Sequence, residues 1–124
     1  MAYLMVFIGG GIGAALRHGV NIGSARLLGT SFPYGTLTVN IVGCLAMGLL
    51  AGDLAFKGDV GQHWRLFLTT GILGGFTTFS AFSLDAALLY ERGEIGPAAI
   101  YVLASVFMSL VAVFAGLALM RSLT

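Results

Sequence analysis

The sequence predicts an all-α membrane protein of four transmembrane helices, and three observations carry that prediction. Of the 124 residues 58% are hydrophobic and only 9% are charged, against about 25% charged in an ordinary soluble domain. Four stretches reach the roughly 20 mostly apolar residues that a bilayer crossing needs. The connections between them are short, so no soluble domain fits among them, and residues 1–124 read as a single four-helix transmembrane domain. A soluble fold of this size cannot bury so much apolar surface while exposing so few charges. The composition therefore excludes a soluble enzyme, a nucleic-acid binder and a disordered tail. A net charge of +1, from six Lys+Arg against five Asp+Glu, leaves no basic footprint for DNA or RNA. A lone cysteine, Cys44, excludes a disulfide framework or a Cys-based zinc site within one chain.

The first span runs from Ala2 to Ile22, with Arg17 near its far end. It lacks a basic leading segment, and its charge follows the apolar run rather than preceding it, so it reads as a retained helix and not a cleaved leader. The second runs from Gly35 to Phe56, with Asp53 near its end; the third from Arg65 to Tyr90, with Asp85 inside; the fourth from Gly96 to Met120, without a charge. Gly23–Tyr34, Lys57–Trp64 and Glu91–Ile95 connect them. Tyr3, Phe32, Tyr34, Trp64 and Tyr90 sit near span ends, where amphipathic rings form an interfacial belt. The pairs Gly9/Gly13, Gly19/Gly23 and Gly48/Gly52 each have the G-x-x-x-G spacing that lets helix backbones approach.

Orientation follows the excess of Lys and Arg on the cytoplasmic side. Both termini share one side with the 57–64 connection, which gives that side Lys57, Arg65 and Arg121. The other side has Arg26 and Arg92, and Arg17 if it reaches the interface. So small a bias predicts dual topology, with copies inserted both ways; the competing reading is one fixed orientation chosen by hydrophobic length or by the weak bias. An inverted pair meets about a two-fold axis in the membrane plane, which places functional sites near the midplane.

The third span is the least regular. Thr69-Thr70-Gly71-Ile72-Leu73-Gly74-Gly75-Phe76-Thr77-Thr78-Phe79-Ser80-Ala81-Phe82-Ser83 holds three glycines, four threonines and two serines in fifteen residues. Both Gly and Thr weaken a helix interior, so a break is expected mid-span. Backbone freed in hydrocarbon must be buried in protein or line a cavity. Brought together by two inverted copies, four carbonyl oxygens would suit a small hard cation. The competing reading is that Gly and Thr merely permit close helix crossing. Phe79 and Phe82 share a face, and their positive ring edges can solvate a small anion; as plain core residues they need no such role.

Thr36 and Asn40 share a face of the second span, and an embedded Asn either bonds another helix or lines a polar path. Tyr101, Ser105 and Ser109 make a hydroxyl stripe on the fourth. Arg17 is either an anion-attracting vestibule charge or a snorkelling one. For Asp85 an ion pair or a cap is the simplest account. His18 and His63 read as interfacial, and Asp53, Asp59, Glu91 and Glu94 as boundary charges. No Ser-His-Asp set, catalytic carboxylate pair or phosphate loop stands out, so no enzyme is expected.

These residues carry a resemblance that spans essentially the whole chain. Gly9 through Arg17 in the first span, Gly35-Thr36-Leu37-Thr38-Val39-Asn40 opening the second, and the third-span block Gly74-Gly75-Phe76-Thr77-Thr78-Phe79-Ser80-x-Phe82-Ser83 are similar to the Fluc (CrcB-type) fluoride ion channels of microbial cell membranes. The resemblance implies an antiparallel, dual-topology homodimer in the lipid bilayer with two fluoride pathways that allow passive fluoride efflux. It implies a central structural Na+, not transported, on the backbone carbonyls of Gly74 and Thr77 from both subunits. It assigns Phe79, Phe82, Asn40, Ser80, Thr36, Tyr101, Ser105 and Ser109 to the fluoride route, and Arg17 to the first-span arginine. Position 81 departs from the pattern: Ala stands where members often carry Thr. The alternatives are a small proton-coupled multidrug-type exporter, which needs a first-span carboxylate that is absent here, and a non-transporting assembly subunit.

Overall fold

The computed structural model describes residues 1–57 and 61–123, all of whose regular structure is helical. Asp59 lies outside the described residues. Four segments are long and apolar enough to cross a membrane: Ala2–Leu28, Tyr34–Gly52, His63–Glu91 and Ile95–Leu123. The expected four-helix architecture is therefore present.

Helix α1 (Ala2–Leu28) and helix α2 (Tyr34–Lys57) are joined by a tight turn. The expected end of the first span, Ile22, falls short of the observed one. Ala25, Arg26, Leu27 and Leu28 are strong helix formers, so the chain stays helical beyond its most apolar stretch. It stops at Gly29, whose φ of 85° only glycine adopts without strain and whose N–H still reaches Ala25 O at 3.0 Å. Pro33 then opens α2, accepting from Leu37 N–H at 3.3 Å.

The third span is composite. A short helix α3 (Gln62–Leu66) runs into a π-helical stretch (Phe67–Leu73) and a single turn, α4 (Gly74–Phe76). Thr77 is extended, at φ −84° and ψ 160°, and helix resumes as α5 (Ser80–Glu91). The sequence reading did not anticipate the π-helical stretch. Within it Thr69 Oγ1 donates to Arg65 O at 2.6 Å, a back-bond that competes with regular helix pairing.

The reversal into helix α6 (Ile95–Leu123) takes three residues. Glu94 N–H reaches Leu89 O and Gly93 N–H reaches Tyr90 O, both at 3.0 Å, with Gly93 at φ 82°. This is a Schellman ending, in which glycine takes the left-handed position. Glu94 O then receives Ala98 N–H at 2.9 Å and starts α6.

Two glycine seams join the helices. Along α1, a Cβ at Gly9 would stand 2.7 Å from Phe67 O, and one at Gly13 would overlap Ile72 O. Along α2, a Cβ at Gly48 would overlap Val113 O, while one at Gly116 of α6 would stand 2.6 Å from Leu45 O. Among the described residues nothing lies within 4 Å of a Cβ at Gly19 or Gly23, so of the three spaced pairs Gly9/Gly13 and Gly48/Gly52 are the ones that face a neighbouring helix of the chain.

Few side chains are fully enclosed; Val39, Leu89 and Tyr101 are the largest. Large apolar residues instead face outward along α1 (Tyr3, Phe7) and α6 (Leu103, Phe107, Phe114). In water such a surface would be untenable; against lipid tails it costs nothing. Of the expected belt, Tyr3, Trp64 and Tyr90 are exposed. Phe32 and Tyr34 instead turn inward against each other at 5.0 Å, and Phe32 meets Tyr101 edge-on at 5.5 Å.

Candidate functional site

The interruption at Thr77–Phe79 organises the site. Thr78 N–H, which in an unbroken helix would close on Gly74 O, goes to Asn40 Oδ1 at 2.9 Å. Asn40 Nδ2 returns a bond to Thr78 O at 3.0 Å. Ala81 N–H, the regular partner of Thr77 O, goes instead to Thr78 Oγ1 at 3.1 Å. Thr77 Oγ1 folds back onto Leu73 O at 2.9 Å. An N–H has one hydrogen to give, so the carbonyls of Gly74 and Thr77 lose the donors that a continuous helix would supply. Asn40 thus ties α2 to the third span, and it does so at the interruption.

A cavity of about 390 Å³ opens there. Gly74, Thr77, Asn40, Phe79, Phe82, Ser105 and Ser109, all singled out from the sequence, line it. Cys44, Thr78 and Val106, which were not, complete its wall. Cys44 lies one helical turn beyond Asn40, so the i, i+4 rule that paired Asn40 with Thr36 also reaches it. Among the described residues no charged side chain lines this cavity.

Two of its donors are unengaged. Among the described residues the buried hydroxyls of Ser105 and Ser109 have no hydrogen-bond partner, although serine in a helix commonly bonds the carbonyl one turn back. Leaving such a group unpaired costs on the order of 1–3 kcal/mol. A ligand in the cavity would recover that. Phe79 and Phe82 stand 5.7 Å apart with ring planes tilted by 51°, and Phe79 is 77% exposed.

The other expected residues lie elsewhere. Thr36 Oγ1 donates to Asp85 Oδ2 at 2.8 Å, and the Tyr101 hydroxyl donates to the same oxygen at 3.3 Å. Asp85 is accordingly held by two hydroxyls, and among the described residues its carboxylate makes neither the ion pair nor the cap expected of it. Tyr101 is fully buried, with its ring 5.2 Å from that of Phe82. The fourth-span hydroxyl stripe is therefore divided: Tyr101 serves Asp85, while Ser105 and Ser109 face the cavity. Arg17 and Ser80 line a separate cavity of about 440 Å³ with His18 and Asn21. A third, of about 520 Å³, holds Thr36, Asp85, Asn21 and Arg92 beside the turn between α1 and α2.

Comparison with known proteins identifies the family. Residues 4–117 match the family model described as CrcB-like protein, Camphor Resistance (CrcB). A fluoride-specific ion channel FluC 2 of Nitrobacter hamburgensis is 62% identical over 124 residues, covering all of both chains. A fluoride-specific ion channel FluC of Rhodopseudomonas palustris is 64% identical, again over the full length of both. One from Paracoccus denitrificans is 60% identical over 121 residues, 98% of this chain and 95% of the relative. The matched region holds both glycine seams, the interrupted third span and every residue lining the 390 Å³ cavity. The chain belongs to the CrcB family.

Proposed function

We propose that this chain is a multi-pass protein of the cell membrane that conducts fluoride passively out of the cytoplasm, as two copies inserted antiparallel. Its function is transport rather than catalysis. One observation carries the reading: the uncharged cavity where Asn40, the aromatic rings and the unengaged hydroxyls of Ser105 and Ser109 converge. Fluoride is small and strongly hydrated, so stripping its water is expensive. Many neutral donors together with a fixed positive charge replace that water without binding the ion too tightly, which conduction requires. Full-length relatives bearing the fluoride-specific channel name support the same ion.

The break in the third span belongs, in this reading, at mid-bilayer on the dimer axis. Among the described residues no three His, Cys, Asp or Glu side chains come together, so backbone oxygens are the natural cation ligands here. The carbonyls of Gly74 and Thr77, whose regular donors are diverted, fit a hard cation such as Na+. Bound between two copies, Na+ supplies fixed positive charge at the centre of the dimer. The roles of the protein residues follow. Asn40 holds the interruption open while facing the cavity, Ser105 and Ser109 donate, and Phe79 and Phe82 present ring edges. Arg17 supplies positive potential at a mouth of the route.

Purified protein in liposomes, read with a fluoride electrode, tests the function. Fluoride release with chloride retained is the expected result, and a silent preparation would favour an assembly subunit. Gly74→Leu tests the shared axis. Within the protomer a Cβ at Gly74 meets only Thr69 O, at an unstrained 3.6 Å. The substitution should therefore leave the single chain folded and abolish the dimer; an intact dimer that still binds Na+ would refute the assignment.

A further inference from the structure

We propose that Asn21 of α1 is an anion-binding residue of the route, joining the mouth at Arg17 to the chamber at Thr36; this rests on the fluoride reading above. The 440 Å³ and 520 Å³ cavities share two lining residues, Asn21 and Ala81. Residue 81 presents only a methyl group, so Asn21 is the polar group at the junction. Arg17 lies one helical turn before it, on the same face of α1. Among the described residues the Asn21 side chain makes no hydrogen bond and the Arg17 guanidinium no ion pair. A half-buried amide beside an unpaired cation, with both its hydrogens free, is equipped to receive an anion.

The fold makes room for this amide specifically. A Cβ at Gly35 would overlap Asn21 Oδ1 and stand 3.0 Å from Asn21 Cα. Only a glycine in the first turn of α2 lets Asn21 sit against the backbone beside Thr36. With its oxygen turned toward that backbone, the amide leaves its NH2 donors for the cavities. Asp85 is a carboxylate lining the chamber, and one of its oxygens already accepts from both Thr36 and Tyr101. Of the two arginines lining these cavities, Arg92 is paired with Glu94 at 3.9 Å, which leaves the Arg17 guanidinium as the unpaired cation beside Asn21 among the described residues.

The test compares three proteins in liposomes loaded with fluoride. Asn21→Leu keeps the volume and removes the donors, and it should lower fluoride efflux about tenfold, the usual effect of losing one hydrogen bond to a charged group. Asn21→Ser restores a donor on a short stem and should recover most of the flux. Gly35→Ala, which evicts the amide without altering it, should reproduce the loss. Wild-type efflux from Asn21→Leu would remove Asn21 from the route. Efflux from Asn21→Ser as low as from Asn21→Leu would make the residue a spacer and overturn the proposal. Should Asn21→Leu fail to elute as folded protein, Asn21→Ala against Asn21→Ser decides the same question. A silent wild type would instead discard the fluoride reading, and this one with it.

Discussion

Two polar regions lie close together in this apolar bundle, and they are wired in opposite ways. At Asp85 the hydroxyls of Thr36 and Tyr101 are spent: each has one hydrogen, and both go to the same carboxylate oxygen. Around the interruption at Thr77–Phe79 the hydroxyls of Ser105 and Ser109 are buried without a partner among the described residues. Phe82 touches both regions, lining the cavity and stacking on Tyr101. A saturated cluster fixes the positions of helices. An unsaturated one tolerates a cost that only a ligand repays. The Thr36 and Tyr101 hydroxyls are thus committed to architecture while those of Ser105 and Ser109 are left for a ligand, although hydropathy does not separate them.

Substitutions can break or sharpen that contrast. The largest loss belongs to Asn40→Asp. It removes the donor to Thr78 O and places a negative charge in an otherwise uncharged cavity, so fluoride efflux should fall at least about a hundredfold while the dimer persists. Wild-type efflux would take Asn40 off the pathway. Phe82→Ile comes next: it keeps an apolar side chain but loses the ring edge, and efflux should drop about tenfold. No drop would reduce Phe82 to packing between the two regions.

Ser105→Ala combined with Ser109→Ala sharpens the contrast directly. Removing buried hydroxyls that bond nothing should leave thermal stability in detergent unchanged or raise it, because their desolvation cost disappears. Fluoride efflux should nevertheless fall several-fold, roughly as expected for lost donors. A clear fall in melting temperature with full efflux would invert the assignment. Asp85→Asn should have the smallest effect. The amide oxygen still accepts from Thr36 and Tyr101, so most fluoride flux should survive. Complete loss would be the behaviour of a proton-coupled exporter that uses Asp85, and would move that cluster from architecture into the transport machinery.

Much of this molecule is legible in one dimension. Four spans and their short links follow from hydropathy, and the irregular backbone of the third from the Gly/Thr-rich block at Thr69–Ser83. These properties depend on composition and on local backbone preference, which a sequence states outright. Seven of the proposed site residues line a single cavity, though spacing had placed only Phe79 with Phe82 and Ser105 with Ser109 on shared faces. The partners were not legible. That Asn40 meets Thr78, or that Tyr101 leaves its own stripe to serve Asp85, depends on how helices far apart in the chain are rotated against one another. The glycine seams set that rotation: where Gly9, Gly13, Gly48 and Gly116 let backbones touch, every side chain one turn away acquires its neighbour. Sequence determined which groups the membrane would have to accommodate, because burial cost belongs to the group itself. Tertiary structure decided which donors were spent and which were left free, because a hydrogen bond belongs to a pair and extends only about 3 Å.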